Sequence, residues 1–213
     1  MEPMQRARSE TAKLEREDSI LTATEILLRQ SGYDSMTMQA VATAAGLAKG
    51  TLYLYFTSRE SLVLAVYGRL FDRWIDRFAV HQLEFTGFDG FCRDFAGHYA
   101  DDPLFLQLTG FANALLEPQL DREAYIKSKR SMARRVKRLA GLVCQQFSIA
   151  PAAAQKLIWR FLTIAGGTAQ MTVSPPITKA DLPVDVVAFT GLANFETVFL
   201  NAAAPLGTNL ISR

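Results

Sequence analysis

The residues best placed to do chemistry in this sequence are Lys49, Gly50 and Thr51, and the chemistry is hydrogen bonding to base edges. They open what reads as a short helix, with Leu52 and Phe56 four residues apart on its inner face. A lysine can donate to guanine O6 or N7, a threonine can touch a base or a thymine methyl, and a glycine lets the backbone come close. Ahead of them Thr37 sits where an N-cap belongs, Val41, Ala45 and Leu47 are apolar at near-helical spacing, and Gly46 can take the positive φ of a sharp turn. Helix, glycine turn, helix is the helix-turn-helix layout, whose second helix enters the major groove of DNA. Gln39, near the start of the first of these helices, is chemically suited to adenine. Thr37, Tyr53, Tyr55 and Arg59 are expected to hold phosphates through hydroxyls or charge and so set the register.

The surrounding chain has to position that unit. A helix over about 15–31, with Ile20, Ala23, Leu27 and less cleanly Ile26 as its stripe and Gly32 as its stop, would brace it. Residues 1–14 read as a polar, flexible tail, either a basic arm built on Arg6, Arg8 and Lys13 or a solvated end. Leu62, Val66, Leu70, Trp74 and Phe78 follow at steps of four, which predicts one long helix over about 59–85. Further helices are expected over 89–99, from Pro103 to before Pro118, and over 121–147, from Pro151 to before Ser174, and over 183–204. No stretch alternates with period two for long enough to be a strand. The fold class is therefore all-α with about nine helices: a helix-turn-helix domain at 15–58 and a larger helical effector-binding and dimerisation bundle at 59–213.

The run from Ile20 to Leu62 resembles the DNA-binding domain of the TetR family of bacterial transcriptional repressors. The resemblance is carried by ILTATEILLRQSG at 20–32, by Tyr33, Thr37, Val41-Ala42 and Ala45-Gly46-Leu47, by KGTLY at 49–53, by Tyr55-Phe56, and by SRESL at 58–62. Ala48 stands where the family usually has a capping serine, and Arg59 replaces a usual lysine with its charge kept. The resemblance implies a cytoplasmic homodimer joined through a four-helix bundle made from the last two helices. It also implies two reading heads on a near-palindromic double-stranded operator, and an effector in the C-terminal bundle that shifts their spacing. Phe161, Ala165, Leu192, Phe195 and Phe199 are the expected interface residues.

Composition narrows the rest. At 213 residues and 49% hydrophobic content the chain can bury a core, and its net charge of +2 forces no partner. Two cysteines, Cys92 and Cys144, suit a reducing compartment, and no apolar run approaches the ~18 residues of a membrane span. The only histidines, His81 and His98, fall on different expected helices, and no Cys or His cluster has metal spacing. No nucleophile elbow or phosphate-cradling loop is present, so neither enzyme activity, cofactor nor metal is expected.

Ten aromatic side chains crowd into 71–111. They are either ordinary core or, in part, the lining of a cavity for an apolar or aromatic effector. For the second reading the candidate walls are Phe91, Phe95, Tyr99 and Phe111, and the candidate polar handles are His98, Gln107, Asn113 and Gln170. Residues 121–138 carry eight positive side chains against Asp121 and Glu123, a local net of +6. That stretch is either a solvated helix face or a mouth for an acidic effector such as an acyl thioester. Residues 1–60 carry seven positive and eight negative side chains. Their net of −1 leaves open a second reading, a small-molecule binding or carrier protein of the same fold that does not read DNA sequence.

Overall fold

The computed structural model describes residues 2–81, 87–172, 182–191 and 194–207, with only the backbone course for 2–9 and 189–191. The described residues form ten α-helices and no strand. They are α1 (Glu2–Ser35), α2 (Met38–Ala44), α3 (Lys49–Tyr53), α4 (Arg59–His81), α5 (Gly87–Ala100), α6 (Pro103–Phe111), α7 (Arg122–Phe147), α8 (Pro151–Thr172), α9 (Val184–Gly191) and α10 (Phe195–Ala203). The chain divides into two compact units. The first holds Met1–Val66 with Leu116–Ser128, and the second Tyr67–Leu115 with Lys129–Arg213. The division falls inside α4 and α7 instead of at 58/59, because an unbroken helix carries no boundary signal.

In the first unit α1 starts at Glu2, where a flexible tail was expected. Pro3 fits a first helical turn, and nothing after it breaks the pattern. The helix breaks at Gly32, with φ 74°, where the sequence placed its stop. Its buried residues are Ile20, Ala23, Thr24, Glu25 and Leu28, while Ile26 is exposed, so the helix is rotated from the expected face. The cause is Thr24. Its hydroxyl donates to the Ile20 carbonyl at 2.7 Å, which lets a polar residue lie in the core.

The second unit is built on aromatic packing. Trp74, Phe78, Phe91, Phe95, Tyr99 and Phe105 are all fully buried. Trp74 stacks on Phe78 at 5.4 Å and meets Phe95 edge-on at 4.7 Å, and Tyr99 stacks on Phe105 at 4.7 Å. Each such pair adds about 0.5–1.5 kcal/mol beyond the area it buries. From α10, Phe199 stacks on Phe95 at 5.3 Å. Against α8, α6 packs closely because Gly110 has no side chain: a Cβ there would lie 3.1 Å from the Gln170 backbone nitrogen.

Two elements depart from expectation. After Phe111, α6 passes into a π-helical turn at Ala112–Leu116 and a short 3-10 turn at Glu117–Gln119. The single helix expected over 183–204 is two helices, since Asn194 starts α10 by accepting from the Thr197 N–H at 3.1 Å. Leu192 and residues 82–85 of the expected long helix lie outside the described residues.

Candidate functional site

The reading unit is assembled by local hydrogen bonds. Thr37 caps α2 by accepting from the Ala40 N–H at 3.1 Å, and its hydroxyl proton stays available. Gly46 takes φ 66° in the turn, and the Leu47 N–H donates to the Ala42 carbonyl at 2.8 Å. Val41, Ala42 and Leu52 are fully buried between the helices and Phe56 is nearly so. Inward anchoring of Leu52 and Phe56 turns Lys49, Gly50 and Tyr53 outward, and all three are exposed, as are Thr37 and Gln39. Thr51 and Tyr55 are half-buried. Leu54, 83% exposed beside Tyr53, was not singled out from the sequence. Its position two residues from both Leu52 and Phe56 is the signal that places it off their face.

The N-cap of α3 is Ala48, which has no side-chain oxygen to offer, so the cap residue supplies no side-chain acceptor to the first N–H groups of this helix. Gly50 has nothing within 4 Å of where a Cβ would stand. No neighbour among the described residues requires a glycine there, although glycine in a helix costs about 1 kcal/mol relative to alanine.

Arg59 is placed differently from the phosphate anchor expected of it. Its guanidinium lies 4.2 Å over the Tyr33 ring, donates to the Tyr33 hydroxyl at 2.9 Å and pairs with Glu60 at 3.2 Å. Tyr33 in turn donates to Glu60 at 3.1 Å. This triad ties the end of α1 to the start of α4 and matches the charge of Arg59 internally. Burial alone would raise the Glu60 carboxyl. Its own backbone N–H, Arg59 and Tyr33 outweigh that and hold it below the usual carboxylate value. Burial and the Glu60 charge raise the Tyr33 hydroxyl. Ser58 and Ser61 cap α4 reciprocally, each hydroxyl accepting from the other's N–H at 3.0–3.1 Å. Asp121 accepts from the Thr57 hydroxyl at 2.8 Å and caps α7 through the Ala124 N–H.

The expected effector residues separate into groups. Phe91, Phe95 and Tyr99 are fully buried in the ring stack. Gln107 and Phe111 are half-buried, whereas Asn113 and Gln170 are exposed and do not enter the stack. Asn113 leaves it because the π-helical turn shifts the helical phase, and Gln170 because it follows buried Thr168 and Ala169 onto the outer face of α8. His98 turns aside to His81, with ring centroids 5.1 Å apart. Two polar atoms inside the stack come from residues the sequence did not single out as polar handles, Tyr99 having been expected only as a wall. The Tyr99 hydroxyl and the Trp74 Nε1–H are buried without a hydrogen-bond partner among the described residues. Burial pushes the Tyr99 hydroxyl well above the usual tyrosine range, the nearby Tyr67 adding to it, so both groups are donors.

Among the expected interface residues, Phe161, Ala165, Phe195 and Phe199 are buried within the single chain and have no face left for a partner. The outer face of α8 instead presents Trp159, Gly167 and Met171, with Trp159 57% and Met171 77% exposed. In the basic stretch, Arg135 grips Asp72 with two hydrogen bonds, at 2.9 and 2.6 Å, and Arg138 pairs with Asp76. Exposed Arg130, Arg134 and Lys137 remain on one face of α7. No helix among the described residues is long and apolar enough to cross a membrane.

Residues 20–66 match the family model for bacterial regulatory proteins of the tetR family, and residues 69–202 match the tetracyclin repressor-like C-terminal domain. The chain is 44% identical over 62 residues to the HTH-type transcriptional repressor KstR of Mycolicibacterium smegmatis, covering 29% of this chain and 30% of that one. It is 34% identical over 101 residues to the HTH-type transcriptional regulator AlkX of Mycobacterium tuberculosis, covering 45% and 48%. These matches thus span less than half the length of either relative. Two crystal structures share the fold. AlkX from Dietzia, a TetR family repressor implicated in biodegradation of n-alkanes, aligns with TM-score 0.58 at 16% identity over 92% of this chain and 95% of that one. Thermus thermophilus FadR in complex with lauroyl-CoA aligns with TM-score 0.57 at 13% identity over 87% and 90%.

The Tyr33–Arg59–Glu60 triad sets a pH dependence. The folded carboxyl of Glu60 lies below its ordinary 4.5, so its contribution is present above that value and is lost as pH falls through the folded one. Glu60→Gln should therefore be less stable than wild type at neutral pH, with the gap closing as the pH falls below the ordinary 4.5 and through the lowered folded value. Urea denaturation across that range tests it. A gap that stays constant with pH would remove the carboxylate as its source.

Proposed function

Because the chain belongs to the TetR family of bacterial regulatory proteins, we propose that it is a cytoplasmic repressor that binds a near-palindromic operator as a dimer and leaves it when a small-molecule effector binds. The observation that carries the DNA reading is Gly50. It sits exposed in the first turn of an uncapped helix with open space where a side chain would be, a costly residue whose use lies in contact with something outside the chain. Close approach of backbone to a DNA groove is that use. Gln39, Lys49 and Thr51 then read base edges, and Thr37, Tyr53 and Tyr55 hold phosphates. The Arg59 triad holds the reading head rigid, adding little net charge of its own. Partnering falls to the outer face of α8, where exposed Trp159 and open Gly167 would let a second copy pack closely.

The effector reading rests on the aromatic stack. Two buried donors without partners among the described residues, Tyr99 and Trp74, favour a mainly apolar ligand that brings an acceptor oxygen, such as the carbonyl of a fatty acyl thioester. The lauroyl-CoA bound to a protein of the same fold belongs to that class. The exposed arginines of α7 would suit its anionic end.

Binding over a randomised operator library separates readers from anchors. Gln39→Ala and Lys49→Ala should relax preference at particular positions, at about 1–3 kcal/mol each, while Tyr53→Phe should weaken all sequences alike. Gly50→Ala should raise the melting temperature and still weaken binding. An absence of sequence preference in wild type would leave the carrier reading in its place. For the dimer, Trp159→Glu should sediment as a folded monomer where wild type sediments as a dimer, and a wild-type monomer at micromolar concentration would sink the proposal. For the effector, lauroyl-CoA should raise the melting temperature by mass action. Tyr99→Phe should be at least as stable without ligand, having lost a buried orphan hydroxyl, and should respond less to the thioester. An equal response from both proteins would remove Tyr99 from the site.

A further inference from the structure

We propose that His81, Asp94 and His98 form a binding site for a divalent transition metal of the zinc class, distinct from the DNA-reading surface and from the aromatic stack. Both histidines of the chain meet here, although 16 residues separate them in sequence. One ligand atom from each of the three side chains lies within 4.8 Å of the other two. His81 ends α4, and Asp94 and His98 lie four apart on α5, so they share one helical face and the two helices converge on one point.

Donor chemistry and orientation both fit a metal. Two imidazoles with one carboxylate make a borderline set that suits zinc, cobalt or nickel better than magnesium or calcium. The His98 Nδ1 lies 2.8 Å from the Asp94 backbone carbonyl. A carbonyl can only accept, so Nδ1 carries a proton, and in the neutral ring Nε2 is the nitrogen with the lone pair. Metal-binding histidines are commonly fixed in this way, by a hydrogen bond at the nitrogen that does not bind. His98 and Asp94 are 12% and 17% exposed, which limits their freedom, while His81 is exposed and leaves an entry path. Donors around a tetrahedral zinc at 2.0–2.1 Å sit about 3.3 Å apart, so side-chain rotation of an ångström or two closes the site. Three protein ligands leave the fourth position to water. A metal bound there would cross-link the last residue of α4 to α5.

The test uses the untagged full-length protein, stripped with EDTA and titrated with Co²⁺. Wild type should bind one equivalent per protomer, develop the visible absorption bands of tetrahedral cobalt, lose them on adding Zn²⁺, and melt higher with Zn²⁺ than without. His81→Ala removes an exposed side chain and should leave the fold and its circular dichroism unchanged. It should lower the metal affinity at least roughly tenfold. His98→Gln should do the same by removing the oriented nitrogen. Equal affinity in wild type and His81→Ala would show scattered surface binding and overturn the site, as would wild type without saturable binding up to about 1 mM metal. None of these readouts involves DNA or acyl thioester, so failure here and failure of the repressor reading are separate events.

Discussion

The second unit depends on the burial of one indole. Trp74 is fully buried, and five other rings, from Phe71, Phe78, Phe95, Tyr99 and Phe105, lie with their centroids within 6.4 Å of it. Through those rings α4, α5 and α6 share one core, and Phe95 passes the contact on to α8 and α10 through Phe161 and Phe199. Aromatic rings pack by edge and face, so moving one obliges its neighbours to turn. The chain could have filled this volume with phenylalanine alone. Using Trp and Tyr places two polar hydrogens where nothing among the described residues receives them.

Helix α4 carries the consequences along its length. Leu62, Val66, Leu70, Trp74 and Phe78 bury one face, and Asp72 and Asp76 lie off that face to meet Arg135 and Arg138 of α7. The bidentate Asp72–Arg135 pair is the stronger of the two by geometry, since parallel hydrogen bonds fix direction as well as distance. In the first unit the start of α7 meets Thr57, just before α4, through Asp121. An eight-cation stretch that looks like a single surface in sequence therefore has two members engaged in holding α4.

What was legible in the sequence follows from how local the cause is. Gly32, Thr37 and Gly46 act on their own backbone or on residues three or four away, and each does in the structure what its type allows. The four-residue steps of α4 were equally plain. Causes that act across the fold were not. Nothing near Thr24 announces that a threonine will be buried, and the split at Asn194 competes with an apolar pattern that runs through it. Phe161 and Phe199 looked like interface because apolar helical faces do not say whether they meet their own chain or another. The meeting of His81 with His98 and the isolation of the Tyr99 hydroxyl require knowing how α4 and α5 cross. Arg59 is intermediate: its charge was visible, but its partner Tyr33 lies 26 residues away.

The cost of the orphan donors bears on how such a molecule could switch. A buried polar hydrogen without an acceptor costs about 1–3 kcal/mol, so Tyr99 and Trp74 together tax the ligand-free core by a few kcal/mol. A ligand oxygen that accepts from either recovers part of this, and does so only in conformers where it reaches the donors. That dependence on conformer is what a switch needs, because a ligand with equal affinity for two states shifts nothing. Driving a population from one extreme to the other takes about 5.5 kcal/mol of differential affinity. Two satisfied donors supply a substantial fraction of that, and burial of an acyl chain among phenylalanines can supply the remainder at ~0.8 kcal/mol per methylene. A pure hydrocarbon gains the second contribution without the first. The stack should therefore discriminate an acyl compound from an alkane of equal length by the hydrogen bonds alone, more than tenfold for each well-made bond to a donor otherwise left bare.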